Sequence, residues 1–209
     1  GVEISRADTT HLTDDDIAAA LSQFIGRIMQ RPAAVSAIKI DGKRAHERVR
    51  DGETVDIPAR PVTVHRFDVL DRRSVDGYID LDVDVFCSSG TYIRSLARDL
   101  GNALGVGGHL TALRRTTVGP FDLTHARTLE ELEDNPQLSL TLDQALAASF
   151  PILRVSGEEG HKLAMGQWLE PRGLKGIHAA VTPDGQAVAL VKEKGKRLAT
   201  VFVARPSTL

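Results

Sequence analysis

The residue types that could do chemistry gather in one short stretch, Cys87-Ser88-Ser89-Gly90-Thr91-Tyr92-Ile93-Arg94. Ser88-Ser89-Gly90-Thr91 reads as a turn between a strand and a helix, where backbone amides at the helix start could cradle a phosphate. The turn lacks the glycine spacing and the lysine of a nucleotide-binding P-loop. No G-x-S-x-G elbow surrounds Ser89 to make it a nucleophile, so capping of the next helix is the favoured reading. Arg94 falls in the first turn of that helix, where the macrodipole disfavours a cation. An anionic partner, a carboxylate or a phosphate, would offset that cost, although a long arginine can also reach solvent. Cys87 is the single cysteine, so it can form neither an internal disulfide nor a cysteine-based metal cluster. A lone strand cysteine reads as a small buried hydrophobe, and a reducing compartment, the cytoplasm, fits best.

Two basic groups could meet a polyanion. Lys39, Lys43, Arg44, His46, Arg48 and Arg50 surround the Asp41-Gly42 turn, as either a solvated edge or an RNA contact. Arg114 and Arg115 are adjacent, so in an extended segment they point to opposite faces, and one could meet RNA while the other pairs within the protein. Net charge is -2, but the charge is segregated. Residues 27–60 hold eight Lys/Arg against five acids, while residues 1–26 hold one Arg against five. Local basic surfaces of this kind attract polyanions even on a nearly neutral chain. Asp80, Asp82 and Asp84 alternate with Ile79, Leu81, Val83 and Val85, which reads as the solvated face of a strand rather than converging metal ligands. The seven histidines show no metal-ligand spacing, so no metal is expected.

The elements that must position these groups are legible in outline. Thr13 before Asp14, Asp15 and Asp16 reads as an N-cap and acidic first turn, and Ile17, Leu21, Phe24 and Ile25 continue a helix to about residue 25. Val35 to Ile40 and Val62 to Leu70 read as strands, with Pro61 at the start of the second. Lys43 to Arg50 reads as a short basic helix. Ile93, Leu96, Ala97, Leu100 and Leu104 give the apolar stripe of the helix after Arg94, which Gly105 ends. Short helices are expected near 128–134, 141–148 and 157–165. Apolar runs at 152–155, 179–181, 187–191 and 199–203 read as strands. Pro151 is the expected domain boundary: residues 1–150 form one domain and residues 151–209 a small β-rich module. No stretch approaches the 18 apolar residues of a membrane span.

Together these residues resemble the TruB branch of pseudouridine synthases. The resemblance rests first on the Cys87–Arg94 stretch with Leu96, Ala97, Arg98, Asp99, Leu100 and Gly101, then Leu104-Gly105, Gly108-His109-Leu110 and Leu113-Arg114-Arg115. Pro32, Ser36-Ala37-Ile38-Lys39, Gly42-Lys43-Arg44 and Ala59-Arg60-Pro61-Val62 extend it upstream. It implies a mixed α/β catalytic domain around a largely antiparallel sheet, incomplete at its N-terminus, followed by a PUA-like RNA-binding module.

It also implies an enzyme that isomerises uridine 55 in the T loop of tRNA to pseudouridine without cofactor or metal. Such an enzyme breaks the N-glycosidic bond, rotates the uracil and rejoins it through C5, after flipping the base out of its stack. Its partner is the tRNA T arm; no membrane and no obligate protein partner are expected, and the protein is expected to be monomeric. The family's catalytic aspartate lies in an L-D-P sequence, which does not occur here. The expectation is therefore the C-terminal portion of a synthase, inactive alone. Arg94 corresponds to the arginine that pairs with that aspartate, and Leu113 to a leucine lining the uracil pocket. Lys39 corresponds to a lysine that supports the pocket, and Tyr92 packs near it. Lys43, Arg44, Arg114 and Arg115 are candidate RNA contacts, while His46 stands where many relatives have Tyr. Two alternatives remain: a catalytically inactive tRNA-binding or RNA-chaperone protein of the same fold, and the guide-RNA-dependent branch of the family.

Overall fold

Thr13 and Asp16 close a reciprocal capping box, each side chain accepting from the other's backbone N–H, and start helix α1 at Asp14–Ser22. They lie in a computed structural model that describes residues 6–32, 39–40, 43–44, 50–51 and 57–206, with the backbone alone for 39–40 and 43–44. Expectations for residues 33–38, the Asp41-Gly42 turn and His46 fall outside the described residues. By their contacts the residues form two units, Gly1–Leu113 and Arg114–Leu209.

The first unit is built on an antiparallel sheet in the order β1-β4-β5, with β1 at Gly26–Gln30, β4 at Arg60–Val75 and β5 at Tyr78–Cys87. β4 runs further than the expected 62–70 because it continues as a hairpin with β5, closing from Val75 to Tyr78 around Asp76-Gly77. Pro61 lies inside the strand, opposite Met29 of β1, rather than ahead of it. Helix α2 (Ile93–Ala103) follows β5. Ile17, Ala20 and Leu21 of α1, Val64 and Phe67 of β4, and Leu96 and Leu100 of α2 form the core. Ile79, Leu81, Val83, Val85 and Cys87 pack against it from β5, so the alternation in that strand does mark its buried face. On the other face Asp84 pairs with Arg66, and Asp82 lies 2.8 Å from Arg73. These pairs are about half exposed and contribute little to stability.

Lys39–Ile40 (β2) and Lys43–Arg44 (β3) pair as an antiparallel ribbon. Lys43–Arg44 is therefore extended and does not open the helix expected over 43–50.

In the second unit, a sheet in the order β11-β10-β9-β8 combines β8 (Ile152–Arg154), β9 (Ile177–Val181), β10 (Ala187–Lys194) and β11 (Arg197–Val203). β8 and β9 are parallel, the other neighbours antiparallel. The ribbon β6–β7 (Thr117–Val118, Phe121–Asp122) and helix α3 (Leu129–Asp134) precede it. Helices α4 (Leu142–Ser149) and α5 (Gly157–Ala164) contribute Leu146 and Leu163 to separate cores, so β9 and β10 are buried on both faces. α4 lies before Pro151, yet Leu146 packs with Ala179, Val181, Ala187 and Leu190, and Asp143 accepts from Ala187 N at 2.6 Å. By contacts, residues 114–150 thus fall in one unit with the residues that follow Pro151.

Candidate functional site

β5 delivers the chain to the Arg94 turn through bonds that extend its ladder by one residue. Ser88 N donates to Thr63 O at 2.8 Å, and Ser88 Oγ accepts from Thr63 N at 2.9 Å. The turn then closes on itself as Thr91 Oγ1 donates to Ser88 O at 2.8 Å, with Gly90 at φ +83, a conformation that glycine adopts without strain. The hydroxyls of Ser88 and Thr91 are therefore spent on β4 and on the turn. They do not cap α2, as their types suggested. The N-cap is Tyr92, whose side chain makes no capping bond.

What fixes that cap comes from β1. The side chain of Gln30, 2% exposed, accepts from Tyr92 N at 2.8 Å and donates from Nε2 to Tyr92 O at 3.1 Å. A second tie lies beside it: Arg98 Nη2 donates to Arg31 O at 2.7 Å, while Arg98 Nε donates to Asp99 Oδ1 at 2.8 Å. The end of β1 and the residue after it are thus bonded to α2 at its cap and nearly two turns further on.

Arg94 is presented at the start of α2 and is exposed. It has no hydrogen bond or ion pair among the described residues, so its five guanidinium donors are available to a carboxylate or phosphate. Ser95 beside it is 1% exposed, and its hydroxyl has no partner among the described residues. Tyr92 is half-buried.

α2 ends in a tight return. Val106 N and Gly107 N both donate to Gly101 O, at 3.0 and 2.9 Å. A Cβ on Gly101 would stand 2.1 Å from the Gly107 carbonyl carbon, and one on Gly108 would stand 2.5 Å from Ala97 O. Only glycine permits this approach, which sends the chain on to Leu113. That leucine is 62% exposed.

The expected basic residues fall in different places. In the β2–β3 ribbon Lys39 lies opposite Arg44 and Ile40 opposite Lys43. Arg114 and Arg115 are both exposed, and neither makes an internal pair among the described residues. Among the described residues, no group of three or more His, Cys, Asp or Glu could hold a metal. No helix there is long and apolar enough to cross a membrane.

The second unit has a surface that sequence reading did not find. Arg197 lies over the half-exposed Trp168 ring, 4.6 Å from its centre. Gly166, Lys194, Lys196, Ala199 and Thr200 complete a cleft of about 460 Å³ with them. A tryptophan followed much later by a basic hairpin carries no local signature; the two meet because Leu169 pairs with Leu198.

The chain matches three family models in succession. Residues 1–93 match the TruB family pseudouridylate synthase N-terminal domain, residues 94–148 the tRNA pseudouridylate synthase B C-terminal domain, and residues 150–205 the tRNA pseudouridine synthase II C-terminal model. It is 68% identical to tRNA pseudouridine synthase B of Corynebacterium efficiens over all of its length and 70% of that protein's. The namesake of Corynebacterium diphtheriae is 72% identical, over 95% of the chain and 66% of the relative. That of Nocardia farcinica is 56% identical over 209 residues. Among solved structures, a chain of a Cbf5-Nop10-Gar1 complex superposes with a TM-score of 0.69 at 24% identity, covering 96% of this chain and 65% of that one. A chain of an H/ACA RNP bound to a substrate RNA containing 2'-deoxyuridine gives 0.66 at 25% identity, with 96% and 63% covered.

Proposed function

Because the chain belongs to the TruB family of pseudouridylate synthases, we propose that the full-length protein isomerises uridine 55 in the tRNA T loop to pseudouridine. The observation that carries this reading is 68% identity along the whole chain to a protein named tRNA pseudouridine synthase B. In the reaction the N1–C1′ bond of the target uridine breaks, the uracil turns, and a C5–C1′ bond forms. The proton on C5 leaves and N1 gains one, so the product is an isomer and no oxidant or cofactor enters.

Arg94 pairs with the carboxylate that attacks or stabilises the sugar, holding it ionised and aimed. Its exposed position at the start of α2, without an internal partner among the described residues, supports this role. A cation there is disfavoured by the helix dipole by about 0.3–1 kcal/mol until an anion arrives. Leu113 lines the uracil pocket and Tyr92 packs near it. Lys39, Lys43, Arg44, Arg114 and Arg115 contact the T-arm backbone, and Lys39 also supports the pocket. Residues 151–209 act as a PUA-like RNA-binding module, in which Trp168, Arg197, Lys194 and Lys196 offer a ring face and cations to RNA.

The protein acts in the cytoplasm as a monomer, with no obligate protein partner. The 209 residues alone are inactive, since they hold no L-D-P sequence.

The test is conversion of a tRNA transcript by the full-length protein, read as tritium released from uridine C5 and by mapping the modified position. Product at position 55 with wild type, and its loss with Arg94→Ala, are the expected results. Tight tRNA binding without product would favour the inactive tRNA-binding alternative. Activity only with added guide RNA and accessory proteins would place the protein in the guide-dependent branch.

A further inference from the structure

Gln30 is one of few buried polar side chains among the described residues, at 2% exposure. Both ends of its amide are used on a single residue far along the chain: Oε1 accepts from Tyr92 N and Nε2 donates to Tyr92 O. This two-way pattern fixes the amide's orientation, because a flipped amide would set donor against donor and acceptor against acceptor. Tyr92 also carries the start of α2, its carbonyl accepting from Ser95 N at 3.0 Å and Leu96 N at 3.1 Å. The helix has no side-chain cap of its own. Arg94, two residues on, has no partner among the described residues to steer it. The backbone from which its side chain leaves is therefore anchored at Tyr92, and the Tyr92 backbone is held by Gln30.

We propose that Gln30 is a positioning residue for the isomerisation: its buried amide clamps the Tyr92 backbone and thereby fixes the aim of Arg94. This rests on the function proposed above. Gln30 touches neither RNA nor the reacting atoms, and its effect falls on the chemical step rather than on tRNA affinity. A glutamate at this position separates clamp from packing. As a carboxylate it accepts from Tyr92 N but cannot donate to Tyr92 O; once protonated it does both. Burial disfavours the charged form, which brings protonation toward an accessible pH. The charged groups on the adjoining segments are Arg31 beside β1, Arg60 opposite on β4, and Arg94, Arg98 and Asp99 on α2. All are shared with wild type, so the wild-type profile serves as the reference.

The experiment uses full-length protein carrying Gln30→Met or Gln30→Glu, in two measurements. Amide hydrogen exchange reads the clamp itself. Gln30→Met should lower protection of the Tyr92 amide while amides in the body of α2 keep theirs. Single-turnover conversion at saturating enzyme reads the consequence. The rate constant of Gln30→Met should fall about ten- to a hundredfold with tRNA affinity unchanged. Gln30→Glu should show a similar loss near pH 8 that shrinks toward pH 5 relative to wild type, with no recovery for Gln30→Met.

A wild-type rate in Gln30→Met overturns the proposal, as does a Gln30→Glu profile parallel to that of Gln30→Met. Loss of protection throughout α2 also overturns it, because Gln30 would then be a general support of the fold. Intact Tyr92 protection in an inactive wild-type enzyme marks failure of the proposed function, and the positioning role falls with it.

Discussion

Replacing Gly101 by Ala sets two effects against each other at one atom. Alanine is the better helix former, by about 1 kcal/mol, and Gly101 lies within α2. The new Cβ, however, would stand 2.1 Å from the Gly107 carbonyl carbon, 2.2 Å from its oxygen and 2.3 Å from Gly108 N. Ordinary carbon contacts lie near 3.5–4.0 Å, and all three atoms are backbone, so no rotamer change relieves the clash. The loop must move by more than an ångström. That would break the bonds from Val106 N and Gly107 N to Gly101 O, at about 1 kcal/mol each. Residual overpacking adds about 1–3 kcal/mol, so after the propensity gain the net destabilisation is about 2–4 kcal/mol. Urea-dependent hydrogen exchange over residues 93–108 measures it locally. Gly157→Ala is the matched control, since a Cβ there meets nothing within 4 Å; it should be close to neutral. Equal or greater stability of Gly101→Ala would refute the close-approach argument.

Asp143→Ala removes the acceptor for Ala187 N and the partner of Arg205 Nη2 at 2.7 Å. With Asp143 and Arg205 partly exposed, the C-terminal unit should lose about 1–2 kcal/mol, measured by urea unfolding through the fluorescence of Trp168, the chain's single tryptophan; Asp143→Asn should recover part of it. The backbone N–H of Ser156 and the guanidinium of Arg172 hold the Glu159 carboxyl below the usual carboxylate range. A folded-state pKa below the unfolded value means that this stabilisation is present above about pH 4.5 and is lost as pH falls through the folded value. Glu159→Gln should therefore flatten the acid limb of the unit's stability profile, and an unchanged limb would contradict the assignment. In the full-length protein, Arg94→Ala should lower single-turnover isomerisation by about a hundredfold or more while leaving tRNA affinity nearly unchanged.

The parts of this fold legible in the sequence are those whose signals are local. Thr13, Thr128, Thr141 and Ser156 each precede a helix by one residue and close a capping box, because a hydroxyl and an acid or amide three residues apart satisfy each other's backbone. The alternation from Ile79 to Val85 gave the buried face of β5 because the side-chain period of a strand is two. What escaped depends on which segments the fold brings together. The length of β4 depends on its hairpin with β5, and the glycine demanded at 101 depends on the return of residues 107–108. At the site, Arg94 was conspicuous as a cation at the wrong end of a helix. Gln30 was not, because an isolated glutamine becomes informative only when Tyr92 is placed beside it. The Ser88–Thr91 hydroxyls read as a cap because their types suit one; Thr63 competes for Ser88, and the turn itself uses Thr91.

The most direct test of the account is conversion of a tRNA transcript by the full-length protein, with and without Arg94→Ala, followed by position-resolved detection of pseudouridine. Wild type is expected to give product at position 55 of the T loop, and the variant to lose it nearly completely at unchanged tRNA affinity. Bound tRNA without pseudouridine, or full activity in Arg94→Ala, would contradict the account.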